Sequence, residues 1–132
     1  MSALIVDTSS WVHYFKGEAY PEIDEGLKHG LIYLPVIVAA ELTSGQISPV
    51  KRAALTDFLM ELPLVDASLS HWIRVGELRQ RAAEKGLNIS TLDAHIAQCG
   101  IDLGGRIISE DRIFRKLKDA IPSLEFRLRE SR

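Results

Sequence analysis

The stretch that most constrains this chain is its first: Ala3-Leu4-Ile5-Val6-Asp7, followed by Thr8-Ser9-Ser10. A short continuous apolar run with β-branched members predicts a strand buried on both faces, as in a parallel sheet. Its end puts Asp7 at the carboxyl edge of that sheet, where open α/β sheets bind ligands. A carboxylate there is equally suited to capping the helix that follows. Capping by Ser9 or Ser10 instead leaves Asp7 free for other chemistry.

The rest of the chain alternates between helical and strand patterns. Helices are expected at Trp11–Phe15, Pro21–His29, Val36–Ser44 and Val50–Glu61, the last two followed by Gly45 and Pro63. Ser70 is expected to cap a long helix to Lys85, and Ser90-Thr91 to open one that stops at Gly100. A further helix is expected over Asp111–Lys118. Strands are expected at Leu31–Leu34, briefly at Leu64-Val65, at Arg106–Ser109 and at Leu124–Phe126, before a basic tail, Arg127–Arg132. This alternation predicts an α/β class: a mainly parallel central sheet flanked by helices on both faces (α/β/α). With 132 residues and no linker or repeat, one domain over residues 1–132 is expected.

The lone cysteine, Cys99, cannot form an internal disulfide, so a reducing cytoplasm is the expected compartment. No apolar run approaches the roughly 18 residues of a membrane span, and no signal peptide is evident at the start. The net charge of −2 argues against a generic nucleic-acid coat. Its distribution is uneven. Residues 106–132 carry eight Lys/Arg against five Asp/Glu, whereas residues 1–105 carry eight against thirteen. A locally basic end can contact phosphates in an acidic protein, or simply form a solvated helix face.

Three further carboxylates stand out. Glu41 lies within Val36-Ile37-Val38-Ala39-Ala40-Glu41-Leu42, so it is expected near a packed face. Burial there needs a cation, a metal or escape to solvent. Asp93 follows Ser90 by three residues, the spacing of a capping box. Asp111 follows the apolar Ile107-Ile108 and, like Asp7, stands at a strand end and a helix start. Capping explains each in isolation, but it does not predict that all converge. A doubly wound sheet aligns strand ends and helix starts along one edge, where these four can meet. A hard divalent cation relieves their mutual repulsion, and Mg²⁺ prefers oxygen ligands. Such ions serve phosphodiester hydrolysis by lowering the pKa of an attacking water and steadying the leaving oxygen.

These motifs, in this order, resemble the PIN domain family and, within it, VapC-type toxins of toxin–antitoxin pairs. Leu4-Ile5-Val6-Asp7-Thr8-Ser9 resembles the opening motif, Val38-Ala39-Ala40-Glu41-Leu42 the second, Leu92-Asp93-Ala94-His95-Ile96-Ala97 the third, and Ser109-Glu110-Asp111-Arg112-Ile113-Phe114 the fourth. The resemblance implies an Mg²⁺-dependent endoribonuclease, with Mn²⁺ able to substitute, that cuts RNA and arrests translation. Asp7, Glu41, Asp93 and Asp111 form its catalytic and metal site, with Ser9 and Ser109 in support. Arg112, Arg115, Lys116 and the tail arginines are expected to hold the RNA backbone. The resemblance also implies a homodimer, possible higher assembly, and a small VapB-type antitoxin lying across Pro21–His29 and Val36–Glu61. This sequence departs from the pattern at Ser9 and Glu110, where Asn is common, and at Ile113, where an acidic residue is frequent.

Other readings fit less well. A PIN-like domain that binds RNA with weak or no catalysis conflicts with the intact quartet. A phospho-receiver needs an Asp ending a central strand and a Lys after a late one. A haloacid-dehalogenase-like phosphatase needs a second Asp where Ser9 stands. His13, His29, His71 and His95 show no metal-ligand spacing and are read as structural or surface residues. Trp11, Trp72 and Cys99 are expected in the core.

Overall fold

The computed structural model describes residues 2–129. Strand β1 (Leu4–Val6) is followed by helices α1 (Thr8–Phe15), α2 (Pro21–Lys28), α3 (Val36–Thr43), α4 (Pro49–Met60), α5 (Leu69–Glu84) and α6 (Thr91–Leu103). Strand β2 (Arg106–Ile108), helix α7 (Ile113–Ala120) and strand β3 (Arg127–Leu128) complete the chain. The sheet order is β1-β2-β3, all parallel, with Val6 in register with Ile108 and Ile107 with Leu128. Parallel bridges from Leu4 to Ile32 and from Leu34 to Leu64 extend it past β1. The expected parallel α/β architecture therefore forms, although the expected strands at Leu31–Leu34 and Leu64-Val65 are reduced to bridges. Pro35 has no N–H and cannot extend the ladder.

The core explains the order. Ile5, Val6, Ile107 and Ile108 are fully buried, as strands covered on both faces require. Against them lies α6, whose residues Ala94 to Gly100 are all buried. The expected stop at Gly100 does not occur. A side chain there would come within 3.1 Å of Ile107 and 3.2 Å of Phe126, so Gly100 is where α6 crosses the sheet. The helix ends instead at Gly104, in the left-handed conformation with φ +58°.

Three other boundaries move. Helix α5 starts after Ser68, two residues before the expected cap at Ser70. Asp111 and Arg112 precede α7 instead of opening it. The last strand pairs at Arg127–Leu128, beyond the expected Leu124–Phe126, where the Lys118 ammonium takes the Leu124 and Phe126 carbonyls instead of a strand partner. Arg132, at the end of the basic tail, lies outside the described residues. Among the described residues, no helix is long and apolar enough to cross a membrane.

Candidate active site

Asp7 leaves β1 in extended conformation, its N–H still bonded to the Ile108 carbonyl at 3.1 Å. It then caps α1 itself: Oδ1 accepts from the Ser10 N–H at 2.9 Å and from the Ser9 hydroxyl at 3.2 Å. The expected capping by Ser9 or Ser10 is thus corrected. Asp7 is the last non-helical residue, and only a side chain in that position reaches the third N–H of the helix. The Ser10 hydroxyl is buried without a hydrogen-bond partner among the described residues. Capping does not exhaust Asp7, because a carboxylate has two oxygens. Oδ2 accepts from the Ser109 hydroxyl, brought alongside by the parallel register of β1 and β2.

Ser109 also accepts the Asp111 N–H at 3.0 Å, and Asp111 Oδ1 accepts the Ile113 N–H at 2.9 Å at the start of α7. Glu41 comes from α3, where Val38 and Leu42 are the buried residues. Of the alternatives for Glu41, the structure shows escape to solvent: it is exposed, so no burial cost arises there, and the Thr8 hydroxyl holds its Oε1 at 2.5 Å. Asp93 sits in the first turn of α6, where Ser90 caps as its spacing predicts, accepting the Asp93 N–H at 3.0 Å.

Burial pushes the Asp93 carboxyl above its ordinary range. The Ser90 hydroxyl opposes this, and the charges of Asp111, Asp7 and Glu41 add to the rise. Ser109, bonded to both Asp7 and the Asp111 N–H, and Thr8, bonded to Glu41, tie three of the carboxylates to the carboxyl edge of the sheet, and Asp93 feels the charge of all three. Asp7 and Asp93 are half-buried, while Glu41 and Asp111 are exposed, so the cluster is open to solvent. An all-oxygen, mutually repelling donor set fits a hard divalent cation and not a soft one.

The family model for the PIN domain matches residues 4–120. The chain belongs to the PIN domain family. This is a family of nucleases, and the match spans all four carboxylates. Among solved structures, the chain is similar to VapBC2 from Rickettsia felis, bound to a DNA fragment from its promoter, at 22% identity and a TM-score of 0.75, covering 98% of this chain and 99% of that one. DNA-bound VapBC from Salmonella typhimurium is similar at 20% identity and a TM-score of 0.77, covering 98% of each chain. FitAcB from Neisseria gonorrhoeae shares 15% identity at a TM-score of 0.66, covering 96% of each. At these identities the likeness is one of fold. Among curated proteins nothing matches.

The departures from the PIN motifs acquire local explanations. Ser9 bonds Asp7, as above. Glu110 turns to Tyr20 and Arg129, its Oε1 accepting from the tyrosine hydroxyl at 3.2 Å and from the guanidinium at 2.9 Å. Ile113 packs against the core. Arg112, Arg115 and Lys116 are exposed around the start of α7, next to Asp111. Arg129, one of the tail arginines expected at the RNA backbone, is occupied: its side chain is only 8% exposed, pairs with Glu22 and Glu110, and lies 4.2 Å over the Tyr20 ring.

The histidines fall into the two expected kinds, surface and structural, but two of them meet. His13 and His29 are surface residues, but His71 and His95 are buried and in contact, with Cys99 beside them. Their positions on two helices gave no short-range spacing to read. Only the four-residue interval His95–Cys99 could have drawn attention, because it puts both on one face of α6.

Proposed function

We propose that this PIN domain is the toxin of a toxin–antitoxin pair, a divalent-metal-dependent endoribonuclease whose cleavage of RNA inhibits translation. The observation that carries the reading is the convergence of Asp7, Glu41, Asp93 and Asp111 from four elements, with Asp93 feeling the charge of the other three. These residues hold Mg²⁺, for which Mn²⁺ substitutes. When bound, the ion lowers the pKa of water and neutralises charge on the phosphodiester. Asp7 is the fixed member, because the strand ladder and the α1 cap immobilise it. Ser109 and Ser9 orient its carboxylate, and Thr8 orients that of Glu41. Arg112, Arg115 and Lys116 hold the RNA backbone, and groove shape selects the RNA.

The partner is a small VapB-type antitoxin that lies across Pro21–His29 and Val36–Glu61. Val36, Met60 and Leu64 are exposed along this region and give it an apolar surface. The assembly is a homodimer working in the cytoplasm. The test compares RNA cleavage by the wild type and Asp7→Asn in Mg²⁺, with EDTA as control. At least a 100-fold loss in the variant is expected, by analogy with removal of a group that stabilises developing charge. Equal activity of the two proteins overturns the proposal.

A further inference from the structure

The seam between α5 and α6 holds a second set of ligand-type side chains. His71 Nε2 and His95 Nδ1 are 2.7 Å apart, and Cys99 Sγ lies 3.9 Å from His95 Nδ1 and 3.8 Å from its Nε2. The ligand atoms of all three residues lie within 4.8 Å of one another, and the residues are buried. Behind His71, Asp102 Oδ2 is 2.7 Å from Nδ1; Arg74 at 3.0 Å and the Gln98 amide at 2.9 Å hold the same carboxylate. Trp72 stacks on His95 with centroids 4.3 Å apart and closes the seam.

We propose that His71, His95 and Cys99 form a transition-metal site for Zn²⁺ or a similar borderline-soft divalent ion, separate from the carboxylate edge. Asp102 accepts the His71 Nδ1–H, which leaves the Nε2 lone pair aimed into the cluster. A carboxylate–histidine–metal arrangement uses this orientation. Tetrahedral zinc, at about 2.0–2.1 Å from nitrogen and 2.3 Å from sulfur, sets its ligand atoms roughly 3.3–3.7 Å apart. The Cys99 Sγ to His95 Nδ1 distance of 3.9 Å is already close to that, and the three ligand atoms lie within 4.8 Å of one another. The two imidazole nitrogens must part by about 0.6 Å, and the ion then takes the place of the proton they share.

The balance is simple. The His95 proton moves from Nδ1 to Nε2, the Cys99 thiol loses its proton to solvent, and no oxidant or reductant is needed. The Cys99 thiolate offsets half of the ion's double positive charge, and the Asp102 carboxylate behind His71, which Arg74 also shares, polarises the imidazole toward it. Burial pushes the Cys99 thiol up to about 12, with the Asp102 charge adding to the rise, so without an ion this sulfur stays protonated and inert. A hard ion has no reason to choose this nitrogen–sulfur set over the acidic edge.

The test uses the full chain stripped with chelator. Titration with Co²⁺ is expected to give a thiolate-to-cobalt charge-transfer band that saturates at one equivalent and is bleached by Zn²⁺ but not by excess Mg²⁺. Cys99→Ala is expected to lose the band. His71→Gln is expected to weaken Zn²⁺ binding at least 10-fold, and Asp111→Asn to keep both properties. Zinc binding to the wild type should release about one proton per ion at neutral pH, because its thiol is the group that ionises. Absence of the thiolate band in the wild type overturns the proposal, whatever the variants do. So does zinc affinity that stays within twofold in both folded variants.

Discussion

Helix α6 serves two polar regions that handle charge in opposite ways. At its first turn Asp93 faces an open edge of carboxylates, where burial raises its pKa and the charges of Asp111, Asp7 and Glu41 add to the rise. Farther along, His95 and Cys99 are buried against α5, with Asp102 at the solvent-exposed end of the same seam. There partial burial pushes the Asp102 carboxyl up, yet hydrogen bonds from His71, Gln98 and Arg74 hold it below its ordinary range. One region keeps its electrostatic conflict and the other resolves it internally. Uncompensated carboxylate charge held by a rigid scaffold suits a hard cation, whereas a seam whose one carboxylate is already satisfied leaves its nitrogen and sulfur donors to a softer ion.

The contrast is most exposed to failure at Asp93. Its folded-state pKa is raised, so the folded chain binds this proton more tightly than the unfolded chain does. The carboxyl therefore costs stability as pH rises above the ordinary carboxylate range, and at neutral pH its charge is a liability. Asp93→Asn is expected to lower RNA cleavage at least 100-fold, about 2.7 kcal/mol, yet raise the melting temperature of chelator-treated protein. Mg²⁺ should then stabilise the wild type more than the variant. A melting temperature that falls in Asp93→Asn without metal erases the distinction between the regions.

The seam has the opposite pH response. Burial, with His71 adding to it, lowers the His95 pKa to about 4, and the Asp102 charge opposes this. Between an ordinary value of 6.5 and about 4 the unfolded chain binds a proton that the folded chain refuses, so stability is lost as pH falls through that window. The charge of Asp102, held low, persists through most of that window, and the Cys99 thiol is neutral throughout. For metal-free protein the loss is about 2 kcal/mol at pH 4.5 relative to pH 7. Urea unfolding at both pH values measures it, and His95→Gln should flatten the difference. An unchanged difference in that variant means the seam does not govern acid sensitivity.

The two regions also differ in how far the sequence reveals them. Asp7 and Asp111 can be read because an apolar run that stops at an acidic residue states where a strand ends and what stands there. Asp93 can be read through its Ser90 cap. Glu41 can be read through its apolar neighbours, yet it escapes to solvent, and what holds it is the Thr8 hydroxyl, 33 positions away. The double duty of Asp7, capping with one oxygen and meeting Ser109 with the other, depends on strand register and leaves no local pattern. The seam is harder still. His71 and His95 meet only because α5 packs on α6, and Gly100, which admits that helix against Ile107, reads in isolation as a helix stop.

The smallest expected effects sharpen the contrast through one hydrogen bond in each region. Thr8→Val removes the hydroxyl on Glu41 but no charge, and Thr8 lies at the open edge. A bond to a charged group is worth about 1.5–3 kcal/mol, and less where solvent can replace it. Cleavage is therefore expected to fall about 10-fold in kcat with KM for RNA unchanged, and the melting temperature to move little. Gln98→Met removes the amide on Asp102, whose side chain is 23% exposed. That variant should lose about 1 kcal/mol of stability and keep its cleavage rate, because nothing at the edge depends on it. Activity loss in Gln98→Met without loss of stability would mean that the seam transmits along α6 to Asp93, and that the two regions act as one site.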